Sequence, residues 1–134
     1  RGLDLPAEAQ LWDTASAATL VAPGPEAAGK QAPNGPERLE LEQCEPLPLM
    51  QHLAARGCNQ VLWECGSELA AAAIRQGCVQ EVAAVLAPKL MGGIAARTPL
   101  GELGFTAMDQ VLCGPLLPPR PIGDDWLLSL RLGG

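Results

Sequence analysis

The sequence predicts an α/β domain built on a mostly parallel sheet flanked by helices, with an antiparallel ribbon at its C-terminal end. Two observations carry the class. Apolar runs and segments at helical spacing follow one another as strand, helix, strand, helix, strand, the order of βαβ units. Near the C-terminus, two further runs are joined by a link too short and turn-rich to hold a crossover helix, so they should pair antiparallel. Size sets the scale: 134 residues, 48% of them hydrophobic, fit one domain with a core of its own.

In chain order, Arg1 to Ala15 mixes apolar and polar residues around Pro6 and reads as an approach to the sheet. Ala18-Thr19-Leu20-Val21-Ala22 is strand-like and is stopped by Pro23-Gly24-Pro25; the Pro-, Gly- and Ala-rich segment to Pro36 is a loop. Arg38-Leu39-Glu40-Leu41-Glu42 alternates charge and leucine, the period of a half-exposed strand near an edge. From Leu47 to Arg56, the pairs Leu49/Leu53 and Met50/Ala54 stand four apart, predicting a helix that Gly57 stops. His52 falls on that helix with no acid or nucleophile at a recognisable spacing, and it is expected to sit at the surface or rim.

The organising stretch is Val61-Leu62-Trp63-Glu64-Cys65-Gly66-Ser67, followed by the alanine-rich segment through Ile74. Three apolar residues, a glycine, and then Leu69/Ala73 and Ala70/Ile74 at i, i+4 spacing predict a strand, a tight turn and a helix. A helix start leaves backbone N–H groups unpaired at the positive end of the helix dipole, so a small residue in the turn lets a phosphate reach them. Gly66 is therefore open to two readings, a phosphate-approach residue or only the tight turn of a strand-to-helix connection. Glu64 follows the apolar run and should project from the sheet rim, where open α/β sheets bind ligands; the alternative is a solvated charge at a strand end. Gly77 ends the helix, and Val79 to Ala87 leads to a strongly apolar strand expected to be buried on both faces. Gly92-Gly93 lies in a loop. Gln110 to Leu117 and Asp125 to Leu132 form the expected ribbon, with Trp126, Leu128, Leu130 and Leu132 on its core face.

Composition excludes several classes. Three tryptophans and one phenylalanine, with no tyrosine, leave little for base stacking, and a net charge of −6 without a basic cluster argues against nucleic acid. No apolar run is long enough to span a bilayer, so no membrane partner is expected. Five scattered cysteines without a Cys-x-x-Cys pair, and one histidine away from them, predict free thiols and no metal site.

Four ordered motifs carry a resemblance over nearly the whole chain: Val61-Leu62-Trp63-Glu64-Cys65-Gly66-Ser67-x-Leu69, Gly77-Cys78-Val79-Gln80-Glu81, Ala87-Pro88-Lys89-Leu90-Met91-Gly92, and Gly123-Asp124-Asp125 before the final strand. The chain resembles the reductase domain of the riboflavin-biosynthesis deaminase/reductase, a family with a dihydrofolate-reductase-like fold. That family reduces the ribose of 5-amino-6-(5-phosphoribosylamino)uracil 5′-phosphate to a ribityl chain with NADPH. Two positions depart from its pattern: Cys65 stands where the first glycine of a pair is usual, and Gln80 where an aspartate precedes Glu81.

The resemblance implies that Glu64 contacts substrate and that Gly66, Ser67, Glu68, Leu69, Ala70, Ala71 and Ala72 hold the NADPH phosphates. It implies a cis peptide at Cys65–Gly66, a pyrimidine nucleotide substrate, a homodimer, a deaminase domain in the full-length protein, and a cytoplasmic or plastid-stromal location. Arg1 to Pro6 matches a stretch after the family's first strand and helix, so residues 1–134 are expected to be a single reductase domain shortened at its N-terminus. The alternative is a non-catalytic nucleotide-binding or dimerisation remnant of such a domain.

Overall fold

A computed structural model describes residues 2–27, 29–30 and 35–133. The sequence-predicted loop after Pro25 lies partly outside them. The chain divides into two compact units, Arg1–Gln60 and Val61–Gly134.

In the first unit, β1 (Leu20–Val21) pairs parallel with β2 (Glu37–Arg38), Leu20 opposite Glu37 and Val21 opposite Arg38. The alternation read from the sequence is visible in burial, for Leu39 is buried while Glu40 and Glu42 are exposed. Trp12, Val21, Ala27 and Leu39 are among the buried apolar side chains, and the Trp12 indole donates to the Pro6 carbonyl at 2.7 Å. A buried indole N–H without such a partner would be costly. The Arg38 guanidinium donates to the carbonyls of Lys30 and Ala27, and Lys30 pairs with Asp4 at 2.6 Å.

Helix α1 (Pro46–Ala55) begins on proline, whose fixed φ and missing N–H suit the first helical position. It ends as expected at Gly57, with φ +85°. There Gly57 N–H bonds Ala54 O and Cys58 N–H bonds Leu53 O, the double closure of a Schellman motif. Arg56 then ties this helix end to Glu37 on β2 through a two-pronged ion pair.

In the second unit, Val61–Trp63 approaches helix α2 (Ser67–Arg75), which closes on Gly77 by the same pair of bonds, Gly77 N–H to Ile74 O and Cys78 N–H to Ala73 O. Strands β3 (Glu81–Leu86), β4 (Arg120–Ile122) and β5 (Asp125–Arg131) follow, in the spatial order β3-β5-β4, with both pairings antiparallel. Glu81 lies opposite Arg131 and their side chains pair at 3.8 Å. The turn between β4 and β5 is two residues long, Gly123 and Asp124. Its positive φ falls on Gly123 alone, the pattern of a type II′ hairpin. The chain is thus α/β with parallel and antiparallel pairing.

Several element-level expectations are corrected. Val61–Trp63 joins no ladder among the described residues and Leu62 is 80% exposed; the run is an extended approach pinned where the Trp63 indole donates to Cys78 O at 3.3 Å. β3 is not buried on both faces, because among the described residues only β5 pairs with it and Ala83 to Leu86 are exposed. The ribbon partner of β5 is chiefly β4, inside the predicted link. Pro115, Pro118 and Pro119 lack the N–H a ladder needs, so Gln110–Leu117 is reduced to one bridge, Leu116 to Leu130. The Trp126 face is only partly covered, with Trp126 itself exposed. No cis peptide occurs among the described residues, so the Cys65–Gly66 bond is trans. With cysteine at the first position, nothing observed offsets the roughly 3 kcal/mol that a cis bond costs.

Candidate functional site

Gly66 is the N-cap of α2, with φ −75° and ψ 170°. Any residue can adopt that extended conformation, so the turn itself does not demand glycine. A β-carbon built on Gly66 would meet no atom within 4 Å. The space in front of the helix start is open, and the chain does not use it for packing.

The ladder of α2 begins with Ala70 N–H donating to Gly66 O at 3.0 Å. The amides of Gly66, Ser67, Glu68 and Leu69 precede it, no side chain caps them, and no described residue accepts from them. These are the four orphan donors of a helix start, concentrated at the positive end of the dipole. Such a set can bind an anion of phosphate size without any basic side chain. Glu68, exposed in the first turn, opposes an anion there while favouring the dipole.

The remaining predicted residues divide by face. Ala71 and Ala73 are buried with exposures of 1% and 0%, so they anchor the helix rather than face outward; Ala70 and Ala72 are half-buried and Leu69 is exposed. Glu64 is exposed two residues before the N-cap, and no hydrogen bond or ion pair engages its carboxylate among the described residues. Cys65 between them is half-buried and unoxidised, as the other four cysteines are free. Burial pushes the Cys78 thiol above its ordinary value.

A second element, absent from the sequence reading, meets this helix. Gly101 N–H donates to Ser67 O at 3.0 Å, and the Arg75 guanidinium donates to the Glu102 carbonyl. The loop is braced internally by Thr98 Oγ1 on Leu100 O and by Gly104 N–H on the Glu102 carboxylate. Its only sequence signal is the glycine pair at 101 and 104, which is indistinguishable from ordinary loop composition.

His52 is half-buried rather than superficial; its Nε2 is sealed from solvent with no partner among the described residues. It stands in the first unit, as does a cavity of about 390 Å³ bounded by Leu3, Asp4, Leu5, Val21 and Pro23. None of the sequence-predicted site residues lines that cavity. Among the described residues no cluster of three or more metal-ligating side chains occurs, and no helix is long and apolar enough to cross a membrane.

In overall fold the chain is an α/β, dihydrofolate-reductase-like reductase domain. The fold match is direct: RibD of Acinetobacter baumannii (form 2) superimposes with a TM-score of 0.79 at 26% identity over 99% of this chain and 36% of that one. The RibD C-terminal domain model matches residues 1–117, and the chain belongs to that family. It is 50% identical over its whole length to the riboflavin biosynthesis protein RibD of Synechocystis, and 36% identical over 96% of its length to the chloroplastic riboflavin biosynthesis protein PYRR of Arabidopsis thaliana. It spans 38% and 22% of those two proteins.

Proposed function

We propose that this chain is the reductase part of a riboflavin-biosynthesis enzyme that reduces 5-amino-6-(5-phosphoribosylamino)uracil 5′-phosphate to its ribityl product with NADPH. The observation that carries the reading is the α2 start: four amides without acceptors, behind a glycine that neither the backbone conformation nor packing requires. Family membership supports the substrate and the direction of reduction.

Bound NADPH would supply the hydride. Within this chain, the amides of Gly66, Ser67, Glu68 and Leu69 would hold the cofactor phosphates, and Ala70, Ala71 and Ala72 form the small-residue turn that keeps the helix start in place. Glu64, exposed and unengaged, would accept hydrogen bonds from the substrate's ring or sugar and so orient it. Water or the substrate itself would supply the accompanying proton. A pyrimidine nucleotide is thus the small-molecule partner. In the longer protein a deaminase domain would share the chain, and the cytoplasm or the plastid stroma suits both groups of relatives. The exposed apolar residues Val85 and Leu86 on β3 favour a second reading, a dimer-forming unit, which sedimentation of the purified protein tests.

Gly66→Val in the intact protein tests the cradle. Valine is a poorer N-cap than glycine, so stability should fall by up to ~1 kcal/mol, while the β-branched side chain fills the phosphate's space. NADPH titrated by its fluorescence should bind at least tenfold more weakly to the folded variant. An unchanged dissociation constant beside a lowered melting temperature refutes the cradle.

A further inference from the structure

We infer that Gly101 is a positioning residue for the α2 phosphate cradle, acting through the Ser67–Glu68 peptide. The inference rests on the reading of α2 given under Proposed function.

The peptide bond is planar, so Ser67 C=O and Glu68 N–H point in opposite directions from one rigid plate. Whatever fixes the carbonyl fixes the amide. Gly101 N–H donates to Ser67 O at 3.0 Å from outside the helix, and that oxygen belongs to the first turn. The contact therefore adds to the helix ladder a second bond on that oxygen and steadies the aim of the Glu68 amide, one of the four orphan donors. It also polarises the peptide, since a carbonyl that accepts a hydrogen bond makes the amide on the same plate a stronger donor.

Close approach is eased because residue 101 lacks a side chain. A β-carbon on Gly101 would stand 3.0 Å from Ser67 O, 3.4 Å from Ser67 C and 3.5 Å from the Ala71 β-carbon. The Ala71 contact is ordinary van der Waals packing, so the crowding falls on the Ser67 carbonyl, which would have to give by a few tenths of an ångström. Gly101 does not have a positive φ, so alanine there would suffer no backbone strain, and the contact is isolated as the variable. The next residue supplies the second tether, the Glu102 carbonyl accepting from Arg75 near the far end of the helix. Two neighbouring loop residues thus hold α2 near both ends, and the plate under Glu68 has little freedom to rotate.

The test is Gly101→Ala in the intact protein, beside Gly92→Ala, where a β-carbon meets nothing, Ala73→Gly, which loosens the buried face of α2 away from its start, and Gly66→Val. NADPH dissociation constants and melting temperatures are measured for all four, with KM for NADPH and kcat where turnover is seen. Gly101→Ala should weaken NADPH binding five- to twentyfold and raise its KM with kcat within twofold, while Gly92→Ala changes neither. Ala73→Gly should lower the melting temperature as much or more and leave the dissociation constant within twofold. If Gly66→Val weakens NADPH but Gly101→Ala does not, or if Ala73→Gly weakens it equally, the positioning role is overturned. If Gly66→Val itself has no effect on NADPH, the cradle reading fails first.

Discussion

Replacing Glu68 by glutamine should move stability and cofactor affinity in opposite directions. Glu68 is exposed in the first turn of α2, where its carboxylate interacts favourably with the positive end of the helix dipole. Such an interaction is worth ~0.3–1 kcal/mol at a surface position. At about 4 °C per kcal/mol for a domain of this size, Glu68→Gln should lower the melting temperature by roughly 1–4 °C. The same carboxylate repels a phosphate on the neighbouring amides. Two unit charges about 7 Å apart in water interact by ~0.6 kcal/mol, and salt near physiological strength roughly halves that. Summed over two phosphate charges, removal of Glu68 should tighten NADPH by about 0.5–1 kcal/mol, a factor of two to five. Fluorescence titration at 20 mM and 1 M salt, probe conditions chosen for their Debye lengths of roughly 20 and 3 Å, separates the electrostatic part. The gain should be present at low salt and vanish at high salt. A variant that binds NADPH no better than wild type at low salt would refute phosphate binding at this helix start, whatever its melting temperature.

Two further outcomes follow, one from a close contact and one from an ion pair. A β-carbon at Gly114 would lie inside the van der Waals surface of the Arg131 carbonyl on β5, so Gly114→Ala must push the Pro115–Leu117 segment off the strand. It should cost ~1–3 kcal/mol in urea denaturation, and a loss below 0.5 kcal/mol would show that the segment is not seated there. The Arg56 guanidinium holds the Glu37 carboxyl below its ordinary value, chiefly through their hydrogen bonds. A depressed carboxyl pKa stabilises the fold above the unfolded-state value, and that contribution disappears as pH falls through the folded-state value. The melting-temperature difference between wild type and Glu37→Gln should therefore be greatest at neutral pH and close in the acid range, and a difference that grows on acidification contradicts the pairing.

Both helices and their ends were legible in the sequence because they obey local rules. Leu49/Leu53 and Ala70/Ile74 spacing, and Gly57 and Gly77 at the stops, all act within a few residues. Strand pairing was less legible. Val61–Trp63 and Ala83–Leu86 have the composition of buried strands, but pairing and burial depend on neighbours far away in sequence, and the described chain offers β3 one partner and Val61–Trp63 none. The β4–β5 hairpin was misplaced by a few residues because Gly123 and Asp124 were read as part of a long link rather than as a complete two-residue turn. At the candidate site, Glu64 and Gly66 were singled out as candidates from their positions beside the helix start. Gly101 was not, because a glycine that matters by what it approaches carries no mark of its target.

The two helices also show why one end and not the other is suited to an anion. α1 is ten residues long and α2 nine, so their dipoles are comparable. At the start of α1, Pro46 and Pro48 have no N–H, and the Glu45 amide is already bonded to Gln43 O, so Leu47 carries the one further first-turn amide. At the start of α2, all four amides are present and none is capped, although Glu68 in the turn opposes an anion. For stability alone, proline or a serine, aspartate or asparagine cap at α2 would serve better than glycine, by a few tenths of a kcal/mol in the case of a cap. Packing does not forbid such a residue, because the space beside Gly66 is empty, and neither does the backbone, because its dihedrals suit any residue. With both structural reasons for glycine removed, its presence supports the proposal that a ligand comes close to the backbone there. This is why substitution at Gly66 is expected to act on binding more than on folding.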